Sequence, residues 1–449
     1  MPDTALLMYF IFFLSVFFMM WRPRGLNETV PTAIGAFLAI LLGIVPVLDL
    51  LKILDIVSGA SITILSTIVM TIVLESIGFF RWVAFHLLTK AKGSGRLLFV
   101  YVLLISFLMT LFFNNDGSIL ITTPIIIQVL NMIKLKPHQK HAYLISGALI
   151  ATASSAPIAV SNISNLIALK IVGLDLNSYV AMMFVPSMIG IITMAVLLYF
   201  YFRKDLPKKL EPGRTSGKTF PQYYQHPFSS DRDLSQGYDW WMFKVCISIV
   251  VMVRVCFFAL TPLHVPIEYI AIAGALLIFA IRWFRYKQGA ADILKKTPWH
   301  ILIFAFSMYV LVYGLKNAGL NDLLVSQLKG FTASSGLGAT MTMGLLLTLF
   351  SNLFNNLPAV MIGTLSLTQM NLDSSILQTA YLANVIGSDI GSLITPVGTL
   401  ATLIWMFILK NSKVPIKWSQ YLKVTIMVVP VGLIVSLLSL YFWTALMMK

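Results

Sequence analysis

The sequence predicts an all-α polytopic membrane protein built from two inverted-topology repeats. About 10 transmembrane helices are expected, plus two re-entrant hairpins and their broken helices. Three observations predict it. Of 449 residues, 58% are hydrophobic and only 11% are charged, against about a quarter charged in a soluble chain. The apolar residues fall in runs of roughly 20, the length that crosses about 30 Å of hydrocarbon as a helix. An Asn-tipped apolar stretch followed by a polar-interrupted helix occurs twice.

Taken in order, the hydropathic spans are 6–20, 30–47, 57–79, 143–171, 179–202, 241–260, 267–283, 301–315, 376–409 and 424–446. The first lacks the basic flank and small-residue cleavage site of a signal peptide, so it reads as a span. Two further stretches, 97–132 and 339–367, are interrupted by Asn pairs and read as hairpins that enter and leave on one face. Residues 78–96 and 317–329 read as amphipathic connectors lying at the membrane faces. The segment 203–240 is rich in Lys, Pro, Gly, Ser and Tyr, and reads as a linker between halves 1–202 and 241–449.

The net charge of +15 sits mainly in loops. With 203–240 placed in the cytoplasm, most bases follow it there, including Arg22, Arg24, Arg96, Lys134, Lys136, Arg282, Lys295 and Lys413. Lys52, Lys170, Arg254, Lys316, Lys329 and Lys449 are the exceptions, and Arg254 reads as a snorkelling span-end residue. This is the positive-inside pattern rather than a nucleic-acid surface, and it places both termini outside. The two cysteines, Cys246 and Cys256, share one span and read as apolar filler, with no metal-ligand spacing. No GxxxxGK[ST] phosphate loop occurs, so transport must draw on a gradient or a partner. No nucleophile–base pair or metal set points to an enzyme.

The halves repeat one order of elements. The first has Asn114-Asn115-Asp116, then a long helix carrying Ser161, Asn162 and Asn165. The second has Asn355-Asn356, then a long helix carrying Thr395 and Thr399. An odd number of crossings separates the hairpins, so they enter from opposite faces. Unwound backbone survives in a membrane only where it lines a cavity or is buried in protein. The short amides and hydroxyls at these breaks are therefore the candidate substrate contacts. Acidic groups inside the membrane are costly and often relay protons. Asp116 and Asp389 are the candidate proton carriers, with Glu75 a third that Arg81 could instead pair. With no Lys or Arg beside either break in the sequence, the site suits a small neutral polyhydroxyl species or a cation such as sodium.

The chain resembles the bacterial arsenite efflux pumps, within a larger superfamily of ion transporters that includes dicarboxylate carriers. The resemblance runs through LLFVYVLLISFLMTLFFNNDGSILITTPIII (97–127), MYVLVYGLKNAGL (308–320), FNNLPAVMIGTLSL (354–367) and YLANVIGSDIGSLITPVGTLATLIW (381–405). It covers essentially the whole chain. It implies inner-membrane export of arsenite as As(OH)3, and of antimonite, in exchange for protons, in some cases with a soluble ATPase subunit. A neutral cargo agrees with the absent basic residue, and oxygen and amide contacts would release a thiophilic cargo that thiolates would trap. There are departures. Many members carry an acid before the first break, where this chain has Thr152, and some carry Lys near the second, where it has Leu393. That places more of the coupling on Asp116 and Asp389. A sodium/proton antiporter of the same superfamily is the alternative. A channel fits the inverted repeat poorly, because the repeat's logic is alternating access.

Overall fold

A computed structural model describes residues 2–210, 239–287 and 289–447. Most of the linker expected over 203–240 lies outside the described residues, as does Lys449, and so does the Arg81 side chain that was expected to compete for Glu75.

The described residues form helices joined by short turns, and nine of those helices are long and apolar enough to cross a membrane. The first half contains α1 (Pro2–Trp21), α2 (Thr29–Leu41), α3 (Asp49–Ser76), α4 (Phe79–Lys90), α5 (Gly95–Phe112), α6 (Asn115–Asn131), α7 (Pro137–Ala153), α8 (Ile163–Val172) and α9 (Leu176–Phe202). The second contains α10 (Trp240–Ala259), α11 (Ile267–Tyr286), α12 (Ala291–Lys296), α13 (His300–Asn317), α14 (Leu320–Ser334), α15 (Gly336–Phe354), α16 (Asn356–Gln369), α17 (Ser374–Asp389), α18 (Leu400–Asn411) and α19 (Trp418–Met447).

Local chemistry sets the ends. Asp175 and Asp239 accept from the backbone N–H groups of Ser178 and Met242, starting α9 and α10, as short polar caps do. Helix α2 is shorter than its apolar run because Gly43 takes a positive φ of 69° and Pro46 follows. Hairpin arm α15 is longer than hydropathy suggested, at 19 residues. The Ser335 hydroxyl caps it from outside the apolar stretch by accepting from Gly338 N–H. The connectors α4 and α14 each follow a left-handed glycine, Gly78 and Gly319. The long helices expected over 143–171 and 376–409 are each broken in two, as the polar interruptions required.

Packing runs reciprocally between the halves. Helix α2 packs on α13 as α11 packs on α3; α6 packs on α18 as α16 packs on α8; α9 and α19 pack on one another. In these pairs, where two elements pack, their counterparts pack as well, and each hairpin's returning arm meets the broken helix of the other half.

Small residues permit the closest approaches, as they do between membrane helices generally. A Cβ on Gly387 of α17 would stand 2.2 Å from the Gly344 carbonyl oxygen of α15. The Thr348 hydroxyl donates to the Gly387 carbonyl at 3.3 Å across the same contact. Because the obstacle is backbone, a rotamer change cannot relieve it. Gly387→Ala is therefore expected to push α15 from α17 and lower the thermal midpoint in detergent by several degrees, from an overpacking cost of about 1–3 kcal/mol. An unchanged midpoint would mean that this crossing has slack.

Candidate functional site

Helix α17 ends at Asp389, and a short 3-10 turn, Gly391–Ile394, carries the chain to the second break. The Asp389 side chain turns away from its own half. Asn162 Nδ2 donates to its Oδ1 at 3.0 Å, Asn165 Nδ2 to its Oδ2 at 2.7 Å, and Ser155 Oγ to its Oδ2 at 2.7 Å. Ser388 Oγ makes a longer contact to Oδ1, 3.3 Å. Asp389 has no exposed surface. It is a buried carboxylate held by neutral amides and hydroxyls.

Those donors are placed by the first break. Residues Ala159–Ser161 form a 3-10 turn, Asn162 is extended, and its Oδ1 caps α8 by accepting from the Ser164 N–H at 3.1 Å. One amide therefore starts a half-helix with its oxygen and holds Asp389 with its nitrogen. Tyr381 of α17 donates to the Asn165 carbonyl at 3.3 Å, and Tyr179 to the Ala156 carbonyl at 2.6 Å. The two tyrosine rings lie 6.3 Å apart, closing the cluster. Ser161 Oγ and Asn165 Oδ1 are buried with no protein partner.

At the second break, Asn352 of α15 accepts from Thr395 N–H at 2.8 Å through Oδ1 and donates to the Gly391 carbonyl at 2.9 Å through Nδ2. Asn355 Nδ2 donates to the Val397 carbonyl at 3.2 Å. Thr399 Oγ1 caps α18 by accepting from Thr402 N–H at 3.0 Å. The side-chain amides of the second hairpin thus tie it to the backbone of the second break. Asn355 Oδ1 and Thr395 Oγ1 are buried with no protein partner, and Asn356 is buried beside them in sequence, at the start of α16.

At the first tip, Asn114 Oδ1 caps α6 by accepting from Gly117 N–H at 2.6 Å. Asn114 Nδ2 and Asn115 Oδ1 are buried with no protein partner. Asp116 is half-buried in the first turn of α6, within electrostatic reach of Glu28 and Asp389. A basic residue does reach this tip, which corrects the sequence reading. Arg254 does not snorkel. It is buried, and its guanidinium donates to the Phe112 carbonyl at 2.7 Å and to the Phe113 carbonyl.

The structure therefore brings Asn162, Asn165 and Asp389 together, links Asn355 to the second break that Thr395 and Thr399 frame, and sets Asp116 within reach of Asp389. Glu75 is buried in the last turn of α3 and is not among the groups bonded to Asp389. Cys246 is buried and Cys256 partly so; both stand on α10, and neither is bonded to a break. Sequence reading missed Ser155, Asn352, Tyr179 and Tyr381. Asn352 had a signal, since it precedes Asn355 by one helical turn and so shares its face. It also missed Glu28, buried before α2, where Arg22 pairs with it and His300 Nε2 stands 3.6 Å away. Burial opposes ionisation of Glu28, but the His300 contact and the Arg22 charge outweigh it and hold its carboxyl below the ordinary value.

Two broken helices, two Asn-tipped hairpins and a buried carboxylate linking the halves define a multi-pass membrane transporter. The family model for the arsenical pump membrane protein matches residues 7–444. The chain is 50% identical to a putative arsenical pump membrane protein of Bacillus subtilis over 96% of its own length and 98% of that relative. It is 33% identical to an arsenical pump membrane protein of Escherichia coli over 96% and 97%. A 46 kDa membrane protein of Mycobacterium leprae is 21% identical over 85% and 84%. The chain belongs to the arsenical pump membrane protein family.

Proposed function

We propose that this transporter exports trivalent arsenic, as neutral As(OH)3, and antimonite from the cytoplasm in exchange for protons. Family membership supports arsenic efflux. The observation that carries the coupling is the Asp389 carboxylate, buried between the two breaks and held only by neutral donors. Protonation removes the charge that those donors face, so the group can be neutral toward one side and ionised toward the other. Asp116 is its partner at the first tip, and Glu75 is a third candidate. The cargo would be met by Asn114, Asn115, Ser161, Asn165, Asn355, Asn356 and Thr395, with Asn162 and Thr399 shaping the breaks. The partnerless buried amides and hydroxyls among them support this, because a native buried polar atom normally has a partner. Three hydroxyls on As(OH)3 could supply both donors and acceptors.

We further infer that residues 1–202 and 241–449 are the two inverted repeats. In this topology both termini lie outside the inner membrane and 203–240 links the repeats in the cytoplasm. A soluble ATPase subunit remains a candidate partner by resemblance alone.

The test is arsenite uptake into everted vesicles. An imposed acid interior should drive accumulation, a protonophore should abolish it, and a sodium gradient should leave it unchanged. Sodium movement without arsenite uptake would assign the chain to sodium/proton exchange instead.

A further inference from the structure

We propose that Arg254 is a positioning residue that fixes the first hairpin tip against α10, and that cargo affinity depends on this clamp. The need for a clamp follows from the break itself. Helix α5 ends at Phe112 and α6 begins at Asn115, so the last carbonyls of α5 lack intrahelical partners. At membrane depth no water is at hand to satisfy them. Arg254 supplies what is missing from outside the hairpin. Its Nε donates to the Phe112 carbonyl at 2.7 Å and its Nη2 donates to the Phe113 carbonyl. A cation at the C-terminal end of a helix also complements the helix dipole.

The guanidinium is built into this place. Arg254 is 7% exposed, and its Cζ lies 5.6 Å from the centre of the Phe257 ring, one turn further along α10. A planar fork suits two adjacent carbonyls, whereas an ammonium is a point donor on a flexible stem. The two clamped carbonyls immediately precede Asn114, Asn115 and Asp116. Asn114 Nδ2 and Asn115 Oδ1 are buried at this tip without protein partners. Their orientation is therefore set from one side by the Asn114 cap on Gly117 and from the other by Arg254.

The second tip is held differently. Phe12 and Phe13 of α1 pack their rings on Phe354 at 5.9 and 5.5 Å. The first tip is fastened by charge-assisted hydrogen bonds from Arg254, the second by neutral amide hydrogen bonds from Asn352 and Asn355 together with these ring edges. The reciprocal packing of the two halves does not extend to how their tips are held.

The inference rests on arsenite as cargo, so the experiment carries a readout that does not. Arg254→Lys and Arg254→Met are compared with the wild type for arsenite uptake kinetics, and for hydrogen–deuterium exchange of residues 113–118 in the purified protein. Arg254→Met should raise the KM for arsenite at least about tenfold, with a smaller change in maximal rate per inserted molecule. Arg254→Lys should recover part of that loss. Exchange at the tip should quicken in both variants, more in Arg254→Met, while α13 stays as protected as before. If Arg254→Met fails to reach the membrane, Arg254→Lys carries the test alone. A wild-type KM with unchanged tip exchange in the folded variants would overturn the proposal. So would a loss of inserted protein with no change in KM. If the wild type itself moves no arsenite, the cargo assignment fails, and tip exchange alone decides the positioning role.

Discussion

Asp389→Asn is expected to abolish proton-driven accumulation of arsenite, by at least about a hundredfold, while leaving the protein in the membrane. The size follows from the contacts. The carboxylate accepts from Asn162, Asn165, Ser155 and Ser388, and hydrogen bonds to a charged group contribute about 1.5–3 kcal/mol each. An asparagine has the same outline but turns one acceptor into an NH2. That group would confront either the Asn162 amide and the Ser388 hydroxyl at Oδ1 or the Asn165 amide and the Ser155 hydroxyl at Oδ2. The serine hydroxyl can rotate to accept, but an amide NH2 cannot. One contact is thus lost and replaced by opposed donors. Loss of about 2.7 kcal/mol from the rate-limiting step corresponds to a hundredfold. Asp389→Asn also cannot exchange a proton. Arsenite/arsenite exchange should therefore be slowed by the lost contact but remain measurable where net uphill movement does not. Uptake that still follows an imposed pH gradient in Asp389→Asn would remove this residue from coupling and leave it as a structural tie between the breaks.

Asp116 has a different expected signature. It is half-buried, with Asn114, not itself, capping α6. Asp116→Asn should leave thermal stability close to wild type, because no side-chain network is broken. It should still shift the pH at which uptake is half-maximal, because the proposed relay uses Asp116 at the first tip beside Asp389. The measurement is uptake rate across an imposed series of internal and external pH values. An identical pH profile in Asp116→Asn would mean that Asp389 carries the proton alone. PH-driven transport that survived in the Asp116→Asn, Asp389→Asn double variant would remove both acids from the relay.

Much of this was legible because a membrane makes polarity rare. Where apolar residues dominate, an Asn pair, a Ser-Asn cluster or a lone Asp stands out, and lipid gives such groups no refuge except a break or a cavity. That is why Asn114, Asn162, Asn355 and Asp389 could be picked from hydropathy and duplication. The same reasoning erred where it used position along a span in place of direction around it. Arg254 lies near a span end, which suggests snorkelling. Which face of α10 it occupies depends on packing against α5, and hydropathy does not record that. Ser155 and Tyr179 were missed for a related reason. Serines and tyrosines are common in these helices, and only the fold brings Ser155 to a carboxylate 234 positions away in sequence. Helix ends shifted wherever caps lay outside the apolar run, as Ser335 does for α15.

Asn355→Gly is expected to make the protein more stable and a poorer transporter. Asn355 has φ 81° and ψ 156°, a conformation essentially reserved for glycine, and a side chain there costs about 1–3 kcal/mol. The strain persists because the surroundings over-determine it. Its N–H donates to the Ser351 carbonyl at 2.9 Å, its carbonyl accepts from Ala359 N–H at 3.3 Å, and its amide holds the Val397 carbonyl. Glycine keeps both backbone bonds without the strain, but it releases the second break and removes the partnerless Oδ1. Asn355→Ala keeps the strain and loses the amide as well. The expected order of thermal midpoints is Asn355→Gly above wild type above Asn355→Ala. Transport should fall at least about tenfold in both variants, equivalent to roughly 1.4 kcal/mol. Wild-type uptake by Asn355→Gly would show that the amide is dispensable and the strain incidental. A midpoint for Asn355→Gly no higher than that of Asn355→Ala would place the cost of this tip elsewhere. Asn114 supplies the internal comparison. It occupies the matching tip in an extended conformation, φ −163°, so Asn114→Gly should gain no such stability, and only the second tip should trade stability for transport.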